Sequence, residues 1–281
     1  MNWLRHLAVA ASVTGALAAP AFAQDRPELD VAVNDLPGSL ESIEEMGNVA
    51  VRITYSMFDP LIRRNFLADG SGRAAKLEPA LAESWTRIDD RTLEVKLREG
   101  VLFHNGEELT SDDVVFSLNP GRGHGYNPLI GSARRLLLTL SHVEPVDKYT
   151  VRIVSKEPDI LLEQRLAGYA MWIVNAKEYM RVGKDAFARN PVGTGPYKMD
   201  EWVEGEHIRL KAHDDYWDGT PTASEITFTT VPEVSARIAG LVSGNTAFVL
   251  QGGLIVGALA VLIYDGFVGL EKFMARRMGG I

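Results

Sequence analysis

Alternation of apolar and polar positions defines the clearest elements of the chain. Leu93, Val95 and Leu97 alternate with Glu94, Lys96 and Arg98, the period-two pattern of a half-buried strand. Asp89-Asp90 supplies a turn just before it, so Trp85 to Ile88 is predicted to pair antiparallel with this strand. Asn105-Gly106 is the strongest short turn signal in the sequence. Thr110 then occupies an N-cap position, with Asp112 and Asp113 in the first turn, where carboxylates suit the helix dipole. Leu109 and Val114 fall at the two staple positions around that cap. The run Leu77 to Leu118 therefore reads as strand, turn, strand, tight loop and capped helix.

Elsewhere the pattern is sparser. Leu29 to Val33 alternates as a first strand, and Val51 to Leu61 reads as a helix ending near Asp59-Pro60. Ala68 to Gly72 is a polar turn. Tyr149, Val151 and Ile153 mark another strand, and Pro158 suits the first turn of a helix running to about Leu166. Tyr197 to Trp202 and His207 to Ala212 flank Glu204-Gly205 as a hairpin, and Ile226 to Val231 reads as a buried strand. Residues 119–128, rich in Gly and Pro, break the helix before them. Gly121, Gly123 and Gly125 lack the spacing and the lysine of a phosphate loop.

The two ends change the picture. Arg5 and His6 precede the apolar stretch Leu7 to Ala19, and Ala21-Phe22-Ala23 forms an A-x-A cleavage site, so residues 1–23 read as a signal peptide. From Ala247 to Tyr264 there is no charge and one strongly polar side chain, Gln251. As a helix that stretch would span about 27 Å. Tyr264 and Phe267 suit a membrane interface, Lys272, Arg276 and Arg277 in the basic tail 265–281 suit a cytoplasmic flank, and Gly253-x-x-x-Gly257 would allow close helix packing. A transmembrane helix over 247–264, giving membrane association, is the expectation; a buried helix in a shortened soluble fold is its rival.

Composition narrows the chemistry. The 281-residue chain carries a formal charge of -8 and no cysteine, which disfavours nucleic-acid binding and excludes disulfides and thiol catalysis. His207 and His213 would lie on one strand face roughly 20 Å apart and cannot share a metal, and His104, His124 and His142 show no ligand spacing. Ser56, Ser84 and Ser111 have no elbow motif. No catalytic residue, metal or cofactor is expected.

Several motifs carry a family resemblance. L-x-P-x-L-A-x-S-W from Leu77, L-x-V-x-L-R-x-G-V-x-F-H-N-G from Leu93 and L-T-x-x-D-V-V-F-S from Leu109 resemble the signature region of extracytoplasmic solute-binding proteins of the peptide/nickel/opine class, family 5. These are the capture components of ABC importers. Asn190-Pro-Val-Gly-Thr-Gly-Pro-Tyr197, Asp214-Asp-Tyr-Trp-Asp-Gly219 and the helix motif from Pro232 to Gly244 extend the resemblance over residues 25–244. Within that helix motif a solvated surface charge is the default for Arg237. The tail has a short resemblance to the end of an osmoprotectant-type ABC permease.

The resemblance implies an α/β fold, type II periplasmic-binding-protein-like and incomplete, with the second large lobe absent and a C-terminal apolar helix. It implies a small lobe over about 73–188 and part of a main lobe over 25–68 and 190–244. It also implies a strand near Tyr169 to Asn175 that returns the chain towards the cleft. The implied function is capture of peptides or related small solutes in the periplasm, by lobe closure, for ABC permease subunits. The alternative is a membrane-anchored, non-binding remnant or a fusion with a permease tail. The implied cleft contributors are Tyr55, Phe58, Tyr169, Trp172, Gly193, Thr194 and Gly195. For Tyr55 and Phe58 core packing is the competing reading. Gly193 and Gly195 allow close backbone approach and unusual dihedrals while Pro191 and Pro196 stiffen the crossover, which suits a fixed bend whose free amides could face a ligand; the competing reading is a tight interlobe turn without ligand contact.

Overall fold

The computed structural model describes residues 26–250 except 42, 44, 46, 66–67, 69–75, 120–137, 170, 245 and 247, and of 248–250 the backbone only. Two larger sheets organise it. The first is mixed and five-stranded: β1 (Glu28–Val33) is parallel to both β10 (Glu225–Thr230) and β11 (Phe248–Leu250), while β8 (Tyr197–Val203) and β9 (His207–Ala212) continue antiparallel from β10, in the order β11-β1-β10-β9-β8. The second is antiparallel and four-stranded, ordered β4-β5-β7-β6, from β4 (Ala82–Arg87), β5 (Thr92–Leu97), β6 (Leu140–Asp147) and β7 (Thr150–Ser155). A short hairpin of β2 (Ile62–Arg64) and β3 (Leu77–Pro79) lies between them in sequence.

The local signals around Asn105-Gly106 form the predicted elements. Leu93, Val95 and Leu97 are fully buried in β5, and Val151 and Ile153 face the same core from β7. Gly106 takes the left-handed φ of +81° that its turn needs. Helix α2 (Ser111–Leu118) begins where the cap pattern places it. The buried Asp113 carboxylate accepts from the Thr110 amide at 2.9 Å and from the Ala176 amide at 3.0 Å. It thus closes the first turn of α2 and ties it to α4 (Ala176–Val182).

Three predicted elements are redrawn. Helix α1 runs Asn48–Met57 and stops before Asp59-Pro60, because a residue preceding proline disfavours helical backbone; Leu61 onward turns into β2. The helix opened by Pro158 shrinks to α3 (Leu162–Leu166). Asp159 is pinned first, its amide to the Asp90 carbonyl at 3.2 Å and its carboxylate to Arg165 at 3.0 Å. The return stretch Met171 to Asn175 is extended but makes only an isolated bridge, Trp172 to Pro60, rather than a strand. It leads into α4 and α5 (Lys184–Arg189).

Helix α6 (Val234–Ser243) ends at Gly244 with φ +78°, a left-handed stop. Its Arg237 is 4% exposed rather than solvated: the guanidinium caps the carbonyls of Val231 and Pro232 at the end of β10. Beyond it, Phe248 to Leu250 form β11 against β1, so the apolar stretch begins as a sheet strand and not as a helix from Ala247. The parallel β10–α6–β11 connection explains this: an apolar run after a capped helix has an open sheet edge to join. The remainder of the predicted membrane segment, and the signal peptide, lie outside the described residues. Among the described residues no helix is long and apolar enough to cross a membrane.

Candidate functional site

The segment Asn190 to Pro196 connects α5 to β8, and so joins the four-stranded side of the molecule to the five-stranded sheet. It is gripped from two sides. On one side lies the end of α1: the Gly195 amide donates to the Met57 carbonyl at 3.0 Å. A Cβ at Gly193 would stand 2.1 Å from the Met57 oxygen, and one at Gly195 would stand 2.4 Å from the Met57 carbonyl carbon. Neither glycine has a positive φ. Close backbone approach, not unusual dihedrals, is therefore what requires glycine here.

Beside this contact Asp59 is buried and forms the hub of a polar cluster. Its Oδ2 accepts from Thr194 Oγ1 at 3.0 Å and Trp217 Nε1 at 2.9 Å, and its Oδ1 accepts from the Tyr216 hydroxyl at 3.1 Å. Burial raises the Asp59 carboxyl above its ordinary range, against the opposing pull of those three donors and of Arg63. The Tyr216 hydroxyl is also pushed up, by burial first and by Asp59 next. Outside the cluster, Arg63 pairs with Asp218 at 2.6 Å, and the Arg98 guanidinium lies 4.7 Å from the centre of the Trp217 ring, within cation–π range.

On the opposite side two histidines hold the same segment. The His104 amide donates to the Gly193 carbonyl at 2.9 Å, and the Gly193 amide donates to His104 Nδ1 at 3.3 Å. His104 Nε2 donates to the Gly195 carbonyl at 3.0 Å, and His213 Nδ1 approaches the same oxygen at 3.3 Å. The two rings meet edge to face at 5.1 Å. Spacing in sequence could not reveal this pair, since His104 precedes Gly195 by 91 residues in the chain and His213 follows it.

The seven predicted cleft residues separate by exposure. Tyr55 is 43% and Tyr169 46% exposed. Tyr55 sets its ring edge-on to Trp172 at 4.6 Å, while Trp172 itself is 1% exposed. Burial, then the nearby Asp59, raises the Tyr55 hydroxyl. Phe58, Gly193, Thr194 and Gly195 are buried, and the amides of both glycines are engaged within the protein. Sequence reading missed Asp59, Tyr216, Trp217, His104 and His213 as partners. A signal existed for three of them: a carboxylate ending an apolar helix, and an aromatic pair in the motif at 214–219. Among the described residues no group of three or more His, Asp or Glu side chains is arranged to hold a metal ion.

Comparison with known proteins adds a family. The model for bacterial extracellular solute-binding proteins, family 5 Middle, matches residues 76–254. The chain is 32% identical over 182 residues to the oligopeptide-binding protein AppA of Bacillus subtilis (strain 168), covering 60% of this chain and 32% of AppA. It is 30% identical over 214 residues to the glutathione-binding protein GsiB of Escherichia coli (strain K12), covering 71% of this chain and 41% of GsiB. Among solved structures, AppA in complex with a nonapeptide superposes with a TM-score of 0.68 at 28% identity, over 78% of this chain and 43% of that one. The binding protein MoaA from A. tumefacien R10 in complex with mannopinic acid gives 0.69 at 28%, over 79% and 44%. The chain thus spans less than half the length of these relatives. The match through residue 254 carries the family past Gly244, where the sequence motifs end, and takes in β11.

Proposed function

Since the chain belongs to the bacterial extracellular solute-binding proteins of family 5, we propose that it serves as the solute-binding component of an ABC importer. It captures peptides or related small solutes in the periplasm and presents them to the permease subunits. The observation that carries this reading is the clamped crossover. A short segment held by Asp59 and Met57 on one side and by His104 and His213 on the other is a joint about which two lobes close on a ligand. The small lobe corresponds to about 73–188 and the main lobe to 25–68 and 190–244. Binding is non-covalent: the polar groups of the solute are met by backbone and side-chain partners as the lobes close.

In this reading the seven candidate residues divide their labour. The exposure of Tyr55 and Tyr169 supports direct contact with the solute. The burial of Phe58, Trp172, Gly193, Thr194 and Gly195 supports a role in holding the joint and the Tyr55 ring. Against the anchored-remnant alternative stands β11, which places Phe248 to Leu250, near the start of the stretch an anchor would use, in a sheet.

The test is thermal melting of the full chain with dipeptides, longer peptides, glutathione and opines. A captured solute at a hundred times its Kd adds about 2.7 kcal/mol of stability, a rise of several degrees. Unchanged melting across all four classes would overturn the proposal.

A further inference from the structure

The histidine pair on the crossover makes more than a structural contact. In neutral form His104 has one donor and one acceptor nitrogen, and both are assigned by their partners. Nε2 faces a carbonyl, Gly195 O, so it carries the hydrogen; Nδ1 faces the Gly193 amide, so it carries the lone pair. A single tautomer satisfies both contacts. A second proton has one place to go, Nδ1, where it would point at the Gly193 N–H and replace an attraction with a donor–donor repulsion. His213 differs: its Nδ1 donates to the Gly195 carbonyl, and protonation at its other nitrogen leaves that bond intact. With His213 charged, a proton on His104 would also place two cations in rings 5.1 Å apart.

We propose that His104 and His213 form a proton-operated clasp on the Gly193–Gly195 crossover, closed when His104 is neutral and released when acid charges both rings. The surrounding groups set its sense. Burial lowers both rings, most strongly His104; the Gly195 carbonyl partly offsets this for both, Lys198 on β8 opposes charge on both, and Asp215 and Asp214 favour charge on His213 alone. Asp59 lies on the far side of the crossover, committed to Thr194, Tyr216 and Trp217. His213 therefore takes the first proton and His104 resists the second; burial holds His104 down to about 3. Release frees three bonds between the loop after β5 and the crossover, whereas the Asp59 side keeps its hold. Acid thus loosens the joint on one side without dissolving the fold. The clasp is a property of these residues and does not depend on which solute the chain takes.

The test needs no variant at first. In full-length protein labelled with 15N at histidine, ring shifts between pH 8 and 3 report tautomer and protonation. His104 is expected as the Nε2–H tautomer that stays neutral until His213 is charged; a His104 that titrates at the ordinary value near 6.5 overturns the clasp. Hydrogen exchange, corrected for intrinsic rates, supplies the second readout. Between pH 7 and 3 the amides of Gly193 and His104 should lose protection by about tenfold or more relative to amides of β5. His213→Asn, which keeps a donor for Gly195 O without the charge, should suppress part of that loss. Equal loss in wild type and His213→Asn, or none in wild type, contradicts the proposal.

Discussion

The turn at Asn105-Gly106 and the crossover at Gly193-Thr194-Gly195 are both glycine turns, yet they are built on different grounds. Gly106 serves its own backbone: its φ is +81° and a Cβ there would meet nothing within 4 Å. Gly193 and Gly195 serve a neighbour far away in sequence, since any Cβ would drive into the Met57 carbonyl. One turn is specified by the residues in it, the other by what must fit against it. The stretch that identifies the family most densely is of the first kind, and the joint that couples the two sheets is of the second.

Substitution separates the two kinds most sharply at the glycines. Gly195→Ala should cost about 3 kcal/mol or more, the high end of overpacking penalties, because the listener on the other side is backbone and cannot rotate away. Gly106→Ala should cost about 1 kcal/mol, the strain of a left-handed φ in open space. Urea unfolding of both variants checks this; equal penalties would erase the distinction. Asp59→Asn comes next. It turns one acceptor oxygen into a donor facing hydroxyl or indole donors, and a loss of about 2 kcal/mol is expected for the buried mismatch.

Much of the fold could be read from the sequence where structure is local. The β4–β5 hairpin, α2 with its cap, the β8–β9 hairpin and the stop at Gly244 each follow from residues within a few positions. The parts not read are those decided at a distance. Pro158 failed to start a helix because Asp159 is held by the Asp90 carbonyl. Arg237 is buried because the ends of β10 offer it carbonyls. Phe248 to Leu250 join a sheet because β1 has a free edge for them. The same holds at the candidate site: Tyr55, Trp172 and the crossover were legible as motifs, but Asp59, His104 and His213 became partners only through the fold.

Acid sharpens the comparison further, because the crossover contains titrating groups with opposite signs. His104 has a depressed folded pKa of about 3. Its contribution to stability is full above its unfolded value near 6.5 and is lost as pH falls from there towards 3. Asp59 is raised, so its contribution is full below its unfolded value near 3.9 and declines as pH rises through its higher folded value. Unfolding midpoints measured from pH 8 to 3 should therefore fall on the acid side in wild type and fall less in His104→Gln. The smallest effect should come from the surface of the Asn105 turn: Lys177→Ala breaks an exposed pair with Glu107 and should change stability by no more than about 0.5 kcal/mol.

The central claim is that the crossover is fixed by groups remote in sequence, and a double-mutant cycle measures it directly. Asp59→Ala and Thr194→Val, singly and together, remove the hydrogen bond between α1's end and the crossover at 3.0 Å. The account predicts a coupling energy of about 1–2 kcal/mol between them. Strictly additive losses would mean that Asp59 does not hold the crossover, and would contradict it.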